Sequence, residues 1–280
     1  MSVEALPPLR EVIAQHELAA RKSLGQNFLL DLNLTRKIAR AAMPWSDATV
    51  IEIGPGPGGL TRALLLEGAP KVVAVERDDR CIAALQNVIA AADGRLTVQA
   101  GDALETDFAT LAPPPWQVVA NLPYNIATPL LLGWLTQAQN FTRITVLVQK
   151  EVAERLAAKP GGKTYGRLAV AAQWRAEVRQ LFDIGPQAFV PAPKVTSTIV
   201  ELTPRAKPLA EAEWVKLERV TAAAFNQRRK MLRAALKPLW PDADAKLEQA
   251  GIDPTRRAET LSIEEFCALA RLLSGLHAAS

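Results

Sequence analysis

Val50-Ile51-Glu52-Ile53-Gly54-Pro55-Gly56-Pro57-Gly58-Gly59-Leu60-Thr61 is the stretch that decides the fold. A short run rich in β-branched residues enters a glycine cluster, and a helical pattern from Leu60 to Leu66 leaves it. Glycine suits such a turn because it tolerates positive φ and lets a ligand approach the backbone closely. The same strand-then-helix alternation recurs on both sides of the turn. Val72 to Val75 reads as a strand ending at Glu76, with a helix from Asp79 to Ala92. Leu96 to Gln99 is a strand ending near Asp102, Gln117 to Ala120 one ending at Asn121, and Ile144 to Val148 another. A helix from Pro129 to Thr136 lies between the last two. Strands alternating with helices predict a parallel α/β sheet with helices on both faces. Ligands bind such sheets outside the carboxyl ends of the strands. Gly54, Glu76, Asp102 and Asn121 all fall at those ends.

Upstream, a short helix from Leu9 to about Leu18 precedes a basic turn, Arg21-Lys22, and then a second helix. Asp31 is its expected N-cap, Leu34, Ile38 and Ala41 recur at helical spacing, and Pro44 closes it. Downstream, a helix from Lys150 to Ala158 leads into Pro160-Gly161-Gly162, followed by β-rich runs at Val178–Ile184 and Val195–Leu202. Pro204 and Pro208 mark a boundary, and the remainder reads as helical. Ser262-Ile263-Glu264-Glu265 is a capping-box signature opening the last helix. The domain reading is therefore 1–206 for an α/β catalytic domain and 207–280 for a small helical one.

Composition excludes several classes. Apolar residues form 49% of the 280-residue chain, enough for a sizeable core. No apolar run reaches the length of a membrane span, and the start of the chain has no signal-peptide pattern. Cys81 and Cys267 are too far apart for a metal spacing or a disulfide framework, which fits a reducing cytoplasm. His16 and His277 lie near opposite ends, so a histidine triad or zinc site is not expected. The formal charge of +4 carries less information than where the basic residues stand. A monomer is the default expectation.

The glycine loop also satisfies a dinucleotide pattern through Gly54, Gly56 and Gly59, with Glu76 some way on, so NAD or FAD has to be weighed. Pro55 and Pro57 count against it, because a pyrophosphate site depends on backbone N–H donors that proline lacks. S-adenosylmethionine has no phosphate and needs none. A tight turn with no ligand is the third reading. Glu76 can accept hydrogen bonds from both ribose hydroxyls, or be a solvated strand-end acid. Asp102 can accept from the cofactor's adenine amine, or cap a helix.

Asn121-Leu122-Pro123-Tyr124 ends the fourth strand. An adenine amine is a poor nucleophile because its lone pair is delocalised into the ring. Two acceptors on its hydrogens would localise that pair. The Asn121 side-chain oxygen and the Leu122 carbonyl can serve, and Pro123 restricts Leu122 to an extended conformation. Tyr124 offers a ring on which a splayed-out base can stack. The competing reading is a plain turn. Arg228, Arg229, Lys230, Arg233 and Lys237 cluster further on. They fall within about three helical turns, and Arg229, Arg233 and Lys237 share one face at i, i+4, i+8 spacing, suited to phosphates. The alternative is a solvated amphipathic helix.

Taken together, Lys22 to Leu29, Gly54 to Gly59, Asn121 to Ile126, Phe189 to Ser197 and Phe225 to Leu232 resemble the motifs of the small-subunit ribosomal RNA adenine dimethyltransferases, in family order. The resemblance implies a Rossmann-like S-adenosylmethionine-dependent methyltransferase fold with a small C-terminal helical domain. It implies that Asn27 and Leu29 join Gly54, Glu76, Asp102 and Asn121 around the cofactor. It implies dimethylation of two adjacent adenosines near the 3′ end of 16S rRNA, on an immature small subunit in a bacterial cytoplasm, as a step of ribosome biogenesis. It also implies a flexible loop at Lys159 to Gly166 beside the target base. That loop brushes against a P-loop pattern, but Ala157 stands where the first glycine belongs and the loop follows a helix. Two other readings stay open: a resistance-type methyltransferase of large-subunit rRNA, and a ribosome-assembly or transcription factor that kept the fold and lost catalysis.

Overall fold

The computed structural model describes residues 2–20 and 25–273. The expectations for Arg21, Lys22-Ser23-Leu24 and His277 lie outside the described residues. The described residues form nine strands, β1 (Phe28–Leu29), β2 (Thr49–Ile53), β3 (Val72–Glu76), β4 (Leu96–Ala100), β5 (Trp116–Asn121), β6 (Phe141–Gln149), β7 (Ala176–Ile184), β8 (Phe189–Val190) and β9 (Ser197–Pro204). Helices α1 (Leu9–Gln15), α2 (Leu32–Ala41), α3 (Gly59–Leu66), α4 (Asp79–Ala91), α5 (Ala127–Thr136) and α6 (Lys150–Leu156) alternate with them. The other helices are α7 (Arg167–Arg175), α8 (Trp214–Asn226), α9 (Leu232–Ala235), α10 (Ala243–Gln249) and α11 (Ile263–Leu272).

Seven strands make one sheet in the order β4-β3-β2-β5-β6-β9-β7. The pairs β4–β3, β3–β2, β2–β5 and β5–β6 are parallel, and β9 returns antiparallel to β6. From β2 the chain steps outward one way to β3 and β4, then crosses back to β5 on the other side. The switch point of the sheet is therefore the gap above β2 and β5, where a ligand crevice forms without further help. Register brings the functional positions to one edge. Ile53 pairs with Val75 and Glu76 with Ala100, so Gly54, Glu76 and Asp102 all emerge there, with Asn121 at the end of β5.

The central strands are buried on both faces, which is why they read as continuous apolar runs. α3 is buried nearly all round. α2 packs on it, and its N-cap Asp31 accepts from the N–H groups of Asn33 and Leu34, an arrangement worth ~1 kcal/mol. At the opposite end of the strands, Phe108, Trp116, Trp134 and Phe141 pack ring against ring, with Phe108 and Trp116 edge to face at 5.7 Å. This fixes the start of β5 and so the place where it ends.

One pairing was not expected from the sequence. β1 and β8 form their own two-stranded sheet, Phe28 opposite Val190 and Leu29 opposite Phe189. Two residues each are too few to carry a periodic signal. The contact joins two of the motifs, far apart in the chain.

The chain divides into two units, Met1–Ala153 with Arg179–Pro204, and Glu154–Val178 with Arg205–Ser280. The helical unit is thus discontinuous, in contrast to a 1–206 and 207–280 division. The reason is α7, a helix that sequence reading passed over between the Gly-rich loop and the β-rich run. Its Ala169, Val170 and Trp174 belong to the same core as Leu217, Val220 and Ala224 of α8 and Phe266 of α11. The capping box at Ser262 forms as expected, with Ser262 and Glu265 exchanging backbone and side-chain hydrogen bonds. Among the described residues, no helix is long and apolar enough to cross a membrane.

Candidate active site

A crevice opens at the switch point, lined by Gly25 to Leu29, Glu52 to Gly56, Glu76 and Arg77, Gly101 to Leu104 and Asn121 to Ile126. Every candidate cofactor and catalytic residue is present: Asn27, Leu29, Gly54, Glu76, Asp102, Asn121, Leu122 and Tyr124. Gly54, Gly56 and Gly58 take φ of +65°, +55° and +91°, so the loop needs glycine. Its N–H groups are spent inside the protein: Gly54 donates to Val75 O, Gly58 to Pro55 O, and Gly56 to Glu76 Oε2 at 2.9 Å. With Pro55 and Pro57 offering none, the loop itself has little left for a pyrophosphate.

Glu76 is buried, and its Oε1 accepts from the N–H of both Arg77 and Asp78 at 2.8 Å. With the Gly56 N–H, three of about four acceptor positions are filled. In this conformation one further donor finds a vacant lone pair, where the sequence reading had a ribose diol take two. Burial raises the Glu76 pKa against the pull of these hydrogen bonds. Asp102 accepts from the Leu104 N–H at 3.0 Å and from the Arg77 guanidinium at 2.9 Å. The former is the local turn capping that competed with a ligand role, but no helix follows it. One lone pair remains on each oxygen.

Glu52 lies in the strand that leads into the glycine loop, and the sequence alone gives it no role. It is 1% exposed, faces the crevice, and its Oε2 has no hydrogen-bond partner among the described residues. Burial pushes its carboxyl up to about 8. The Thr61 hydroxyl pulls the other way without a hydrogen bond of good geometry, and Glu76 adds to the rise. The sequence signal was an acid inside a strand buried on both faces. Together Glu52, Glu76 and Asp102 make a wall suited to a cationic, hydroxyl-bearing ligand, which S-adenosylmethionine is. The orphaned oxygen of Glu52 is the feature that fits a positive charge best, because a cation placed against it would offset the burial that keeps the carboxyl protonated.

At the end of β5 the Asn121 Nδ2 donates to the main-chain carbonyl of Asn27 at 3.0 Å. A carbonyl can only accept, so the facing atom must be nitrogen, and Oδ1 is the atom left over. Leu122 is buried and its N–H donates to Leu147 O, while no donor among the described residues reaches its own carbonyl. Among the described residues neither Asn121 Oδ1 nor the Leu122 carbonyl meets a donor, and these adjacent residues both line the crevice. The Tyr124 hydroxyl shares a 2.7 Å hydrogen bond with Ser197 Oγ, which pins the ring, and burial raises its pKa. Asn27 closes its own turn, Nδ2 donating to Gly25 O at 3.3 Å. Leu29 is buried with its carbonyl against Gly59. Among the described residues no group of His, Cys, Asp and Glu could hold a metal ion.

The basic cluster differs from its helical reading. α8 ends at Asn226, Arg228 to Lys230 lie in a turn, and α9 covers only Leu232–Ala235. The shared helical face of Arg229, Arg233 and Lys237 therefore does not exist. The break is imposed by Leu232, Ala235 and Leu236, which are buried in the helical core, and by the Leu232 N–H, which donates to Arg256 O beside a Met231–Arg257 bridge. Arg229, Lys230 and Arg233 are exposed. Arg228 donates to Gly162 O at 3.1 Å and lies 3.7 Å from Glu259. The Gly161 N–H donates to Glu259 O, so the Gly-rich loop is tied down at two points within the helical unit.

A mostly parallel sheet with its glycine-lined crevice at the switch point, and an Asn-Leu-Pro-Tyr turn at the lip, places the chain among the Rossmann-like S-adenosylmethionine-dependent methyltransferases. Within that class it belongs to the ribosomal RNA adenine dimethylase family, whose model matches residues 17–274. It is 61% identical over 268 residues to the ribosomal RNA small subunit methyltransferase A of Rhodospirillum rubrum, covering 96% of this chain and 93% of the relative. It is 59% identical to the protein of the same name from Dinoroseobacter shibae, covering 97% and 98%. Among solved structures, a dimethyladenosine transferase from Plasmodium falciparum aligns with a TM-score of 0.75 at 27% identity, covering 85% of this chain and 94% of that one. The 23S rRNA methyltransferase ErmE aligns at 0.68 and 28% identity, covering 89% and 100%.

Proposed function

We propose that this protein uses S-adenosylmethionine to dimethylate the N6 amines of two adjacent adenosines near the 3′ end of 16S rRNA in the immature small ribosomal subunit. The observation that carries the proposal is the pair of unengaged oxygens, Asn121 Oδ1 and the Leu122 carbonyl, in one crevice with the glycine loop and the strand-end acids. When bound, the cofactor supplies an electrophilic methyl group on a sulfonium. Gly54 would leave room for it, Glu76 and Asp102 would offer acceptors to its hydroxyls and amine, Glu52 would answer its positive charge, and Asn27 and Leu29 would complete the lining. Asn121 Oδ1 and the Leu122 carbonyl accept the two hydrogens of the unmethylated amine, and one of them the single hydrogen left for the second transfer, drawing the lone pair out of the ring. Each transfer leaves a neutral thioether, and the proton shed by the methylated nitrogen passes to water. Tyr124, its ring fixed through Ser197, stacks on the base. Catalysis then rests on placement and on oriented dipoles, with no strong base. Arg229, Lys230 and Arg233 hold RNA phosphates, and Arg228 braces the loop near them.

The small-subunit target is favoured over a large-subunit one by relatives near 60% identity whose name specifies the small subunit, against 28% for the 23S rRNA methyltransferase. The test is incubation with labelled cofactor and either immature small subunits or naked large-subunit RNA. Label in dimethyladenosine of the small-subunit RNA is the expected result. Label in the large-subunit RNA would transfer the proposal to the resistance-type activity, and label in neither would leave an assembly factor.

A further inference from the structure

We propose that Asn27 is a positioning residue for the reaction: its main-chain carbonyl selects which way round the Asn121 amide sits, and so presents Oδ1 to the substrate amine. This rests on the reading of Asn121 as an acceptor given above. An asparagine side chain has two ends of nearly equal size and opposite polarity, and turned over it would offer the target amine two donors in place of an acceptor. Nothing in the Asn-Leu-Pro-Tyr turn itself decides between the two. The decision comes from the 3.0 Å contact between Nδ2 and Asn27 O.

That carbonyl is itself held from three sides. The Asn27 side chain is bonded back to Gly25 O. The following residues pair with β8, and the Phe28 ring rests on Gly56. Gly25, before it, packs so closely on the catalytic turn that a β-carbon there would lie 2.9 Å from Asn125 Oδ1 and 3.6 Å from Pro123. The segment therefore touches both the cofactor loop, through Phe28, and the catalytic turn, through Gly25 and Asn27. It also explains why position 121 carries an amide. An aspartate would be at least as good an acceptor for the amine, but an ionised carboxylate facing the Asn27 carbonyl has no proton to give it.

Two measurements decide the matter. In the folded wild-type protein, the Asn121 side-chain NH2 pair, assigned by its loss in Asn121→Ala, is expected to show one proton protected from exchange with solvent. Free exchange of both protons overturns the proposal without involving activity. Asn121→Asp is expected to lose about 10- to 100-fold in kcat at pH 8, from the broken hydrogen bond. Activity relative to wild type should then climb as pH falls toward 5, because the neutral acid regains a donor for Asn27 O. Asn27→Ala, which frees the turn, should lower kcat more than it raises KM. An Asn121→Asp enzyme as active as wild type, with a flat ratio across that pH range, would remove the positioning role while leaving Asn121 as an acceptor. Full activity in Asn121→Ala would remove the underlying reading instead.

Discussion

The ring of Phe28 lies on Gly56: a β-carbon added at position 56 would stand 3.0 Å from Phe28 Cε1. Gly56 also holds φ at +55°, so an alanine would be strained on two counts. Left-handed backbone at a residue with a side chain costs roughly 1–3 kcal/mol. Relief would require the ring, and with it β1, to move off the loop. Gly56→Ala is expected to lower Tm and to weaken S-adenosylhomocysteine binding by ~10-fold or more in a calorimetric titration. Unchanged affinity would mean that the loop and the Phe28 segment do not form one wall of the cofactor site.

Glu52 gives a pH-dependent expectation with a defined sign. Burial raises its pKa from 4.5 to about 8 in the folded chain. The folded state then holds the proton more tightly than the unfolded one. Its contribution costs nothing below pH 4.5, grows as pH climbs toward 8, and is constant beyond. At neutral pH the gap corresponds to about 3 kcal/mol. Glu52→Gln should match the wild type in Tm near pH 4.5 and exceed it increasingly up to pH 8, while binding the cationic cofactor less well than the wild type. Parallel Tm curves across this range would show that the carboxyl is not held neutral by burial.

Asn121→Ala removes one of the two acceptors and the tie to Asn27 O, but touches none of the bonds that hold Glu76 or Asp102. Methyl transfer should fall by about 100-fold or more, while S-adenosylhomocysteine affinity changes only a few-fold. Single-turnover assays and calorimetry on the same preparation separate the two. Equal loss of both would mean that Asn121 acts as part of the cofactor wall.

Much of this site was legible because its residues sit where the chain changes state. Gly54, Glu76, Asp102 and Asn121 each lie at a strand's carboxyl end or within two residues of it, where an apolar run gives way to glycine or a polar residue. What resisted reading were relationships that local pattern does not encode. Glu76 and Asp102 are already engaged by backbone N–H groups and by Arg77, and a strand-end acid does not announce how many donors it has met. The β1–β8 pair is two residues long. α7 was hidden because Arg167 to Arg175 lies between a glycine loop and a β-rich run, and it is buried by tertiary packing on α8. At 227–237 the helical spacing of charges was real, but three apolar side chains had to enter the core, and the chain broke the helix to place them.

That break changes what is expected of the basic cluster. On one continuous helix, all the cations would act alike on an RNA backbone. In the folded unit, Arg229, Lys230 and Arg233 are exposed, while Arg228 is committed to Gly162 O and lies near Glu259. Each cation that neutralises a phosphate adds about one to the slope of log K against log salt. Converting Arg229, Lys230 and Arg233 together to glutamine should therefore reduce that slope by roughly 3, with Tm little changed. Arg228→Gln should leave the slope where it was and lower Tm, because what it loses is a brace on the Gly-rich loop. Filter binding to the 3′ region of 16S rRNA at several salt concentrations reads both. An unaltered slope in the triple variant would make these side chains ordinary surface charges, and a fall of about one in Arg228→Gln would return that residue to the RNA-binding set.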